Sequence, residues 1–276
     1  IAASVASGPP RKVPVSYKAV PLKAYYPDRR GLITTTPDHK VKLLTGLEAR
    51  IHKKDARIKK VMISYADEES DIFFLDSEGH MFSDFQPMTS TYVSCVAEHK
   101  GKRESNAYNC SGRAGFDFYT PARLEKTAAE VVRRTTLLFD AVPGPRGAMP
   151  VVLSPGSSGI LLHEAIGHGM EADFARKKIT IYSDKIGKRI APTFVNIYDD
   201  GTNPGLRGSI HADDEGRRAQ RTQLVENGIF RTFMHDRISA GHFKLGATGN
   251  GRRESFRHMP IPRMRNTYMT AGPHDP

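Results

Sequence analysis

The chain has 276 residues, 38% hydrophobic and 26% charged, with a formal net charge of +11 and a pI near 9.6. That length can bury a sizeable core in one large or two ordinary domains. With no apolar run long enough to cross a bilayer and no signal-peptide order at Ile1, no membrane partner is expected and the cytoplasm is the expected compartment.

Residues 1–40 are rich in Pro, broken by Gly and without sustained periodicity, so they read as irregular or partly extended. A helix follows from Asp38, its expected cap, with Leu43, Leu44, Leu47, Ile51 and Ile58 recurring at helical spacing. The β-rich runs Val61–Tyr65, Asp71–Leu75, His80–Phe82 and Thr89–Val96 come next, and a further strand is expected over Lys102–Cys110. Short polar turns such as Asp76-Ser77-Glu78-Gly79 favour antiparallel pairing. Cys95 and Cys110 cannot form a multi-bridge framework and are expected to be reduced; facing each other across a hairpin, they would be small core or edge residues. A second helix starts with Thr120 as cap and Pro121 in its first turn; its buried stripe is Leu124, Ala128, Val131, Val132, Leu138 and Phe139.

Residues 143–148, opening on Pro143-Gly144-Pro145-Arg146-Gly147, form the expected linker, because neither helix nor strand continues through them. Beyond it, Thr193–Tyr198 alternates as a strand and Leu224–Phe230 carries an Asn-Gly hairpin signal. The expected class is α+β. An N-terminal domain over 1–142 is an antiparallel sheet with packing helices, and a β-rich, barrel-like domain over 149–276 carries one helix of particular interest.

That helix contains His163-Glu164-Ala165-Ile166-Gly167-His168, two imidazoles and a carboxylate suited to a metal that activates water. The familiar zinc helix spaces its imidazoles four residues apart, and five steps at about 100° each leave them roughly 140° apart on a regular helix. The spacing therefore predicts a π-bulge or local unwinding, which Gly167 and Gly169 make inexpensive. His163 and His168 would be metal ligands and Glu164 the general base. Two ligands are one short of a catalytic zinc set. His211, His235, His242 and His258 lie downstream as local candidates, as do Asp199-Asp200 and Asp213-Asp214; the acidic pairs, each before a Gly, read better as turn residues. Glu171 and Asp173, three and five residues past His168, could orient an imidazole N–H or be ordinary helix-end polarity. Arg252 and Arg253, in a Gly-rich stretch, are candidate contacts for a peptide carboxylate or carbonyl.

The run Met149–Leu153, the segment Gly159–Phe174 and later stretches such as Glu226-Asn227-Gly228-Ile229, Thr248–Ser255 and Pro262–Met269 occur in order in a way that resembles the TldD/PmbA family, once called modulators of DNA gyrase. The resemblance implies a zinc-dependent HExxxH peptidase acting on unfolded or extended peptides. It also implies a third ligand supplied by a Cys beyond the end of this chain, and a homologous TldE/PmbA-type partner subunit or self-association. Against the family, parts at both ends are expected to be missing. The alternative is a DNA- or gyrase-associated regulator, which the positive charge would suit. Lys and Arg come as short scattered groups such as Lys59-Lys60 and Arg217-Arg218, without a nucleic-acid-binding motif, which favours a solvated basic surface.

Overall fold

The computed structural model describes residues 16–27, 31–156 and 158–274. Residues 1–15 and 28–30, the latter including Arg29-Arg30, lie outside the described residues. Among the described residues of this stretch, Lys18–Ala19 forms a short extended strand, β1.

Helix α1 spans Pro37–Lys54, one residue earlier than the sequence reading, with Pro37 in the first turn and Thr36 at the cap. Asp38 is thus no cap; its charge lies in the first turn, where it favours the positive helix end, while His52, Lys53 and Lys54 complement the other. Leu47 and Ile51 are its fully buried residues, and Ile58 belongs to the next strand.

The four expected strands between residues 61 and 96 are two long ones. β2 (Ile58–Leu75) and β3 (His80–His99) pair without a break from Lys60↔Val96 to Leu75↔Met81. The polar stretch between the apolar runs does not end β2 because its side chains have partners: Glu69 accepts from the Gly31 and Leu32 amides, and Asp67 pairs with Lys40. β4 (Lys102–Gly112) completes this sheet against β3, and β1 runs parallel to the start of β3. Cys95 lies opposite Asn106 and Cys110 opposite Thr91, so the free thiols do not face each other.

Helix α2 (Pro121–Thr136) starts as read, with the Thr120 hydroxyl accepting from the Arg123 amide at 3.2 Å. Ala128, Val131 and Val132 join Leu47, Ile51, Val93, Cys95 and Phe139 in one core. About 2–4 kcal/mol per truncated aliphatic side chain is typical of such cores.

The second half is less regular. β5 (Ile197–Asp200), β6 (Arg221–Glu226), β7 (Ile229–Phe230) and β10 (Thr267–Met269) form an open sheet in the order β10-β5-β6-β7, so it is a small sheet rather than a barrel. β8 (Gly251–Arg252) and β9 (Ile261–Pro262) make a separate pair. The strand expected from Thr193 begins only at Ile197 and continues through Asp199 and Asp200. Asn227 and Gly228 both take positive φ, 48° and 76°, as the predicted two-residue hairpin requires. Three short helices belong to this half: α3 (Gly159–Leu162), α4 (Ala172–Arg176) and α5 (Arg237–Phe243). Its core gathers Met170, Ala172, Leu224, Val225, Phe230, Phe233, Met234 and Met264. Among the described residues, no helix is long and apolar enough to cross a membrane.

The far end of the β2–β3 hairpin docks on this half through a buried polar knot. His211 Nδ1 bonds Asp84 at 2.7 Å, the Tyr26 hydroxyl donates to the other Asp84 oxygen at 2.8 Å, and the Tyr26 and His211 rings stack at 3.8 Å. His211→Ala removes the stacking and one donor to a buried carboxylate; a loss of about 2 kcal/mol in a urea melt is expected.

Candidate metal centre

The predicted distortion falls on the motif. After the single α-turn of α3, His163–Gly167 forms a π-turn closed by the His168 amide donating to the His163 carbonyl, and His168–Met170 tightens into a 3-10 turn. One inserted residue brings positions five apart onto one side. The His163 and His168 rings meet edge to face with centroids 4.8 Å apart. Ligand atoms of His163, Glu164 and His168 all lie within 4.8 Å of one another. His163 and Glu164 are exposed and His168 is half-buried, so the cluster opens to solvent.

The glycines serve this turn differently from the sequence expectation. Gly167 has ordinary helical φ and ψ of −58° and −52°, so it relieves no backbone strain. Its missing side chain matters instead: a Cβ there would collide with Met264 Sδ, and one on Gly169 would sit 2.8 Å from Tyr182 Cε2. The Thr180 hydroxyl donates to the Gly169 carbonyl at 2.7 Å, holding the loop that carries Tyr182 against the turn.

Glu171 and Asp173 separate. Glu171 is fully buried, and its Oε1 lies 3.2 Å from His168 Nδ1 while Oε2 accepts from Arg263 at 2.7 Å. Burial pushes the Glu171 carboxyl above its ordinary pKa, opposed by the nearby Arg263 and His168. With Nδ1–H donated to Glu171, the His168 Nε2 lone pair faces outward, where Glu164 Oε2 is 4.0 Å away. Asp173 hydrogen-bonds no imidazole among the described residues. It lies in the first turn of α4, and its Oδ2 takes the Lys177 ammonium at 3.2 Å.

The arginine candidates also part. Arg252 lines a groove of about 500 Å³ with Arg263, Met259 and Ile261, a volume in the range of small-ligand pockets. Arg253 turns away: its guanidinium bonds the His258 carbonyl, and it borders the cleft beside Phe73, Phe74 and Asp214. Arg263 carries no local signal in the sequence: it lies in the Pro262–Met269 stretch, but its ion-pair partner Glu171 is 92 positions away.

No local third ligand joins the cluster among the described residues. His211 is held by Asp84, and His242 and His258 are exposed elsewhere, on α5 and beside Ser255. Asp199 is consumed by the Arg265 amide, Thr267 and Asn250, whereas Asp200 and Asp213 hold backbone amides two to four residues on, as turn residues do. His235 is buried with neither ring nitrogen hydrogen-bonded among the described residues.

Residues 31–139 match the PmbA/TldA metallopeptidase central domain and residues 146–276 its C-terminal domain. A metalloprotease TldD homolog of Haemophilus influenzae is 37% identical over 264 residues, 94% of this chain and 55% of that protein. A zinc metalloprotease TldD homolog of Saccharolobus solfataricus is 29% identical over 241 residues, 87% of this chain and 54% of that protein. The chain thus spans about half the length of the curated relatives it matches. The crystal structure of TldE from Thermococcus kodakarensis shares the fold, with a TM-score of 0.75 at 20% identity, covering 96% of this chain and 59% of that one.

Two measurements test this description. If Gly167 is required by packing, Gly167→Ala costs about 1–3 kcal/mol in a denaturant melt, and adding Met264→Ala restores part of that loss. Burial also pushes the His235 pKa down to about 4. Between about 6.5 and that value the unfolded chain binds a proton that the folded chain refuses, so stability falls as pH drops through this window, by up to about 3 kcal/mol. His235→Phe should flatten this component in melts between pH 7.5 and 4.5.

Proposed function

The chain belongs to the TldD/PmbA family of metallopeptidases, and from that premise we propose that His163, Glu164 and His168 are the hydrolytic centre of a zinc-dependent peptidase. The observation that carries this reading is the π-turn, which gathers two imidazoles and a carboxylate spaced as HExxxH within 4.8 Å of one another at an accessible surface. The donor set fits the ion: imidazole suits zinc, and His168 has its Nδ1 engaged so that Nε2 is left to bind.

His163 and His168 would hold zinc, which when bound polarises the scissile carbonyl and acidifies a water. Glu164 is the general base. Its carboxylate, 65% exposed and adjacent to both imidazoles, takes a proton from the attacking water and delivers it to the leaving nitrogen. The family resemblance implies that the third ligand is a Cys outside this segment; Cys95 and Cys110 lie in β3 and β4 of the first half and are not part of the cluster. The proposed substrates are unfolded or extended peptides. A homologous TldE/PmbA-type subunit is the proposed partner, supported by the shared fold and by exposed apolar residues that precede the motif in sequence, Val151, Val152, Leu153, Ile160 and Leu161. We read residues 1–142 and 149–276 as two domains joined by the linker at 143–148, a division supported by the separate cores on either side.

In the full-length protein, Glu164→Gln should lower peptide hydrolysis by about 100-fold or more while zinc content stays at the parent's level. His163→Ala with His168→Ala should abolish zinc binding. Parent-like cleavage by Glu164→Gln would sink the assigned role.

A further inference from the structure

Residues 263 and 264 both press on the motif, from the same short segment after β9. The Met264 side chain fills the space that Gly167 leaves inside the π-turn. The Arg263 guanidinium, on the neighbouring side chain, donates to Glu171 Oε2 at 2.7 Å and to the Pro262 carbonyl at 3.0 Å. Glu171 therefore spends one oxygen on Arg263 and keeps the other for His168.

Arg263 is itself held from behind. Its amide donates to the Asn250 carbonyl at 2.9 Å, and its own carbonyl accepts from Asn250 Nδ2 at 2.9 Å, so Asn250 grips its backbone on both sides. Asn250 is buried and fixed in turn: Nδ2 also donates to Asp199 at 2.6 Å, and Oδ1 accepts from the Thr248 hydroxyl at 2.7 Å. A continuous run of hydrogen bonds thus joins β5, through Asn250, Arg263 and Glu171, to the imidazole of His168.

We propose that Arg263, clamped by Asn250, is a positioning residue for the metal centre, fixing the Glu171 carboxylate so that it orients His168. The inference rests on the reading of His168 as a metal ligand. A surface ion pair would do little, since solvent competes for both partners. Here the acceptor is fully buried and only 31% of the Arg263 side chain is exposed, so removing the cation frees Glu171 to turn and lets the imidazole rotate. Outer partners of this kind hold ligand geometry, and their loss lowers metal affinity by about 10–100-fold. Lysine keeps the charge but is a poorer substitute: both bonds are made by Nη1 of a planar guanidinium whose donor directions are fixed, whereas an ammonium is a freely rotating point charge on a flexible stem.

The test uses the full-length protein and Zn²⁺, with affinity read by competition against a fluorescent chelator, alongside kcat, KM and the melting temperature. Arg263→Met should weaken Zn²⁺ binding by about 10-fold or more and lower kcat with KM little changed, and Arg263→Lys should fall between it and the parent. In a double-mutant cycle with Glu171→Gln the losses in Zn²⁺ affinity should be non-additive. Parent-like Zn²⁺ affinity in folded Arg263→Met, or full additivity with Glu171→Gln, overturns the proposal. Should Arg263→Met fail to fold, Arg263→Lys decides alone: affinity below the parent supports it and parity overturns it. His163→Ala with His168→Ala separates the two readings. Zn²⁺ retained by that variant would refute the centre itself, whereas its loss there with parent-like binding in the Arg263 variants refutes only the positioning role.

Discussion

The second half is organised around one mismatch, two imidazoles five positions apart in a helix that repeats every 3.6 residues. A regular helix would turn His168 away from His163, and the chain resolves this with a single π-turn followed by a 3-10 turn. Such a turn has poorer backbone geometry than an α-helix, so its neighbours must favour it. Met264 occupies the space beside Gly167, Tyr182 packs on Gly169, and Thr180 bonds the Gly169 carbonyl. The irregular helix is thus held by three contacts from two distant segments, not by its own propensity.

Around it, long stretches of the second half have little sheet ladder, and side-chain carboxylates take over the work of satisfying backbone groups. Asp213 accepts the amides of Glu215, Arg217 and Gly251, and Asp199 accepts from the Arg265 amide, Thr267 and Asn250. Burial pushes both carboxyls up, and several donors each, with Arg265 nearby, oppose it. A buried carboxylate is costly unless so paired, which ties these loops into one arrangement and gives Arg263 a rigid base.

The legible parts of the fold were those written in local pattern. Helix α2 starts where Thr120-Pro121 places it, the 227–228 turn follows from Asn-Gly, and the π-turn follows from spacing alone. The cap of α1 was misplaced because Pro37 can occupy the first turn ahead of Asp38. β2 and β3 were divided because polar residues in mid-strand look like turns until their partners, Lys40 and the Gly31–Leu32 amides, are known. At the site, His163, Glu164 and His168 were legible as a triplet and Glu171 as one of two possibilities. Arg263 was not, nor was the reason for Gly167, since both depend on contacts across roughly a hundred positions of chain, for which local periodicity carries no information.

The same separation orders events in time. The two imidazoles lie close together in sequence, whereas the Met264 contact that supports the π-turn and the Glu171–Arg263 pair, 92 positions apart, both close long loops. Long closures are entropically expensive and come late in folding. During synthesis the histidines therefore emerge and meet solvent well before the segment that steadies them. The fixed pairing of the two imidazoles is accordingly a property of the finished tertiary structure, and a nascent or partly unfolded chain holds at most a loose histidine pair.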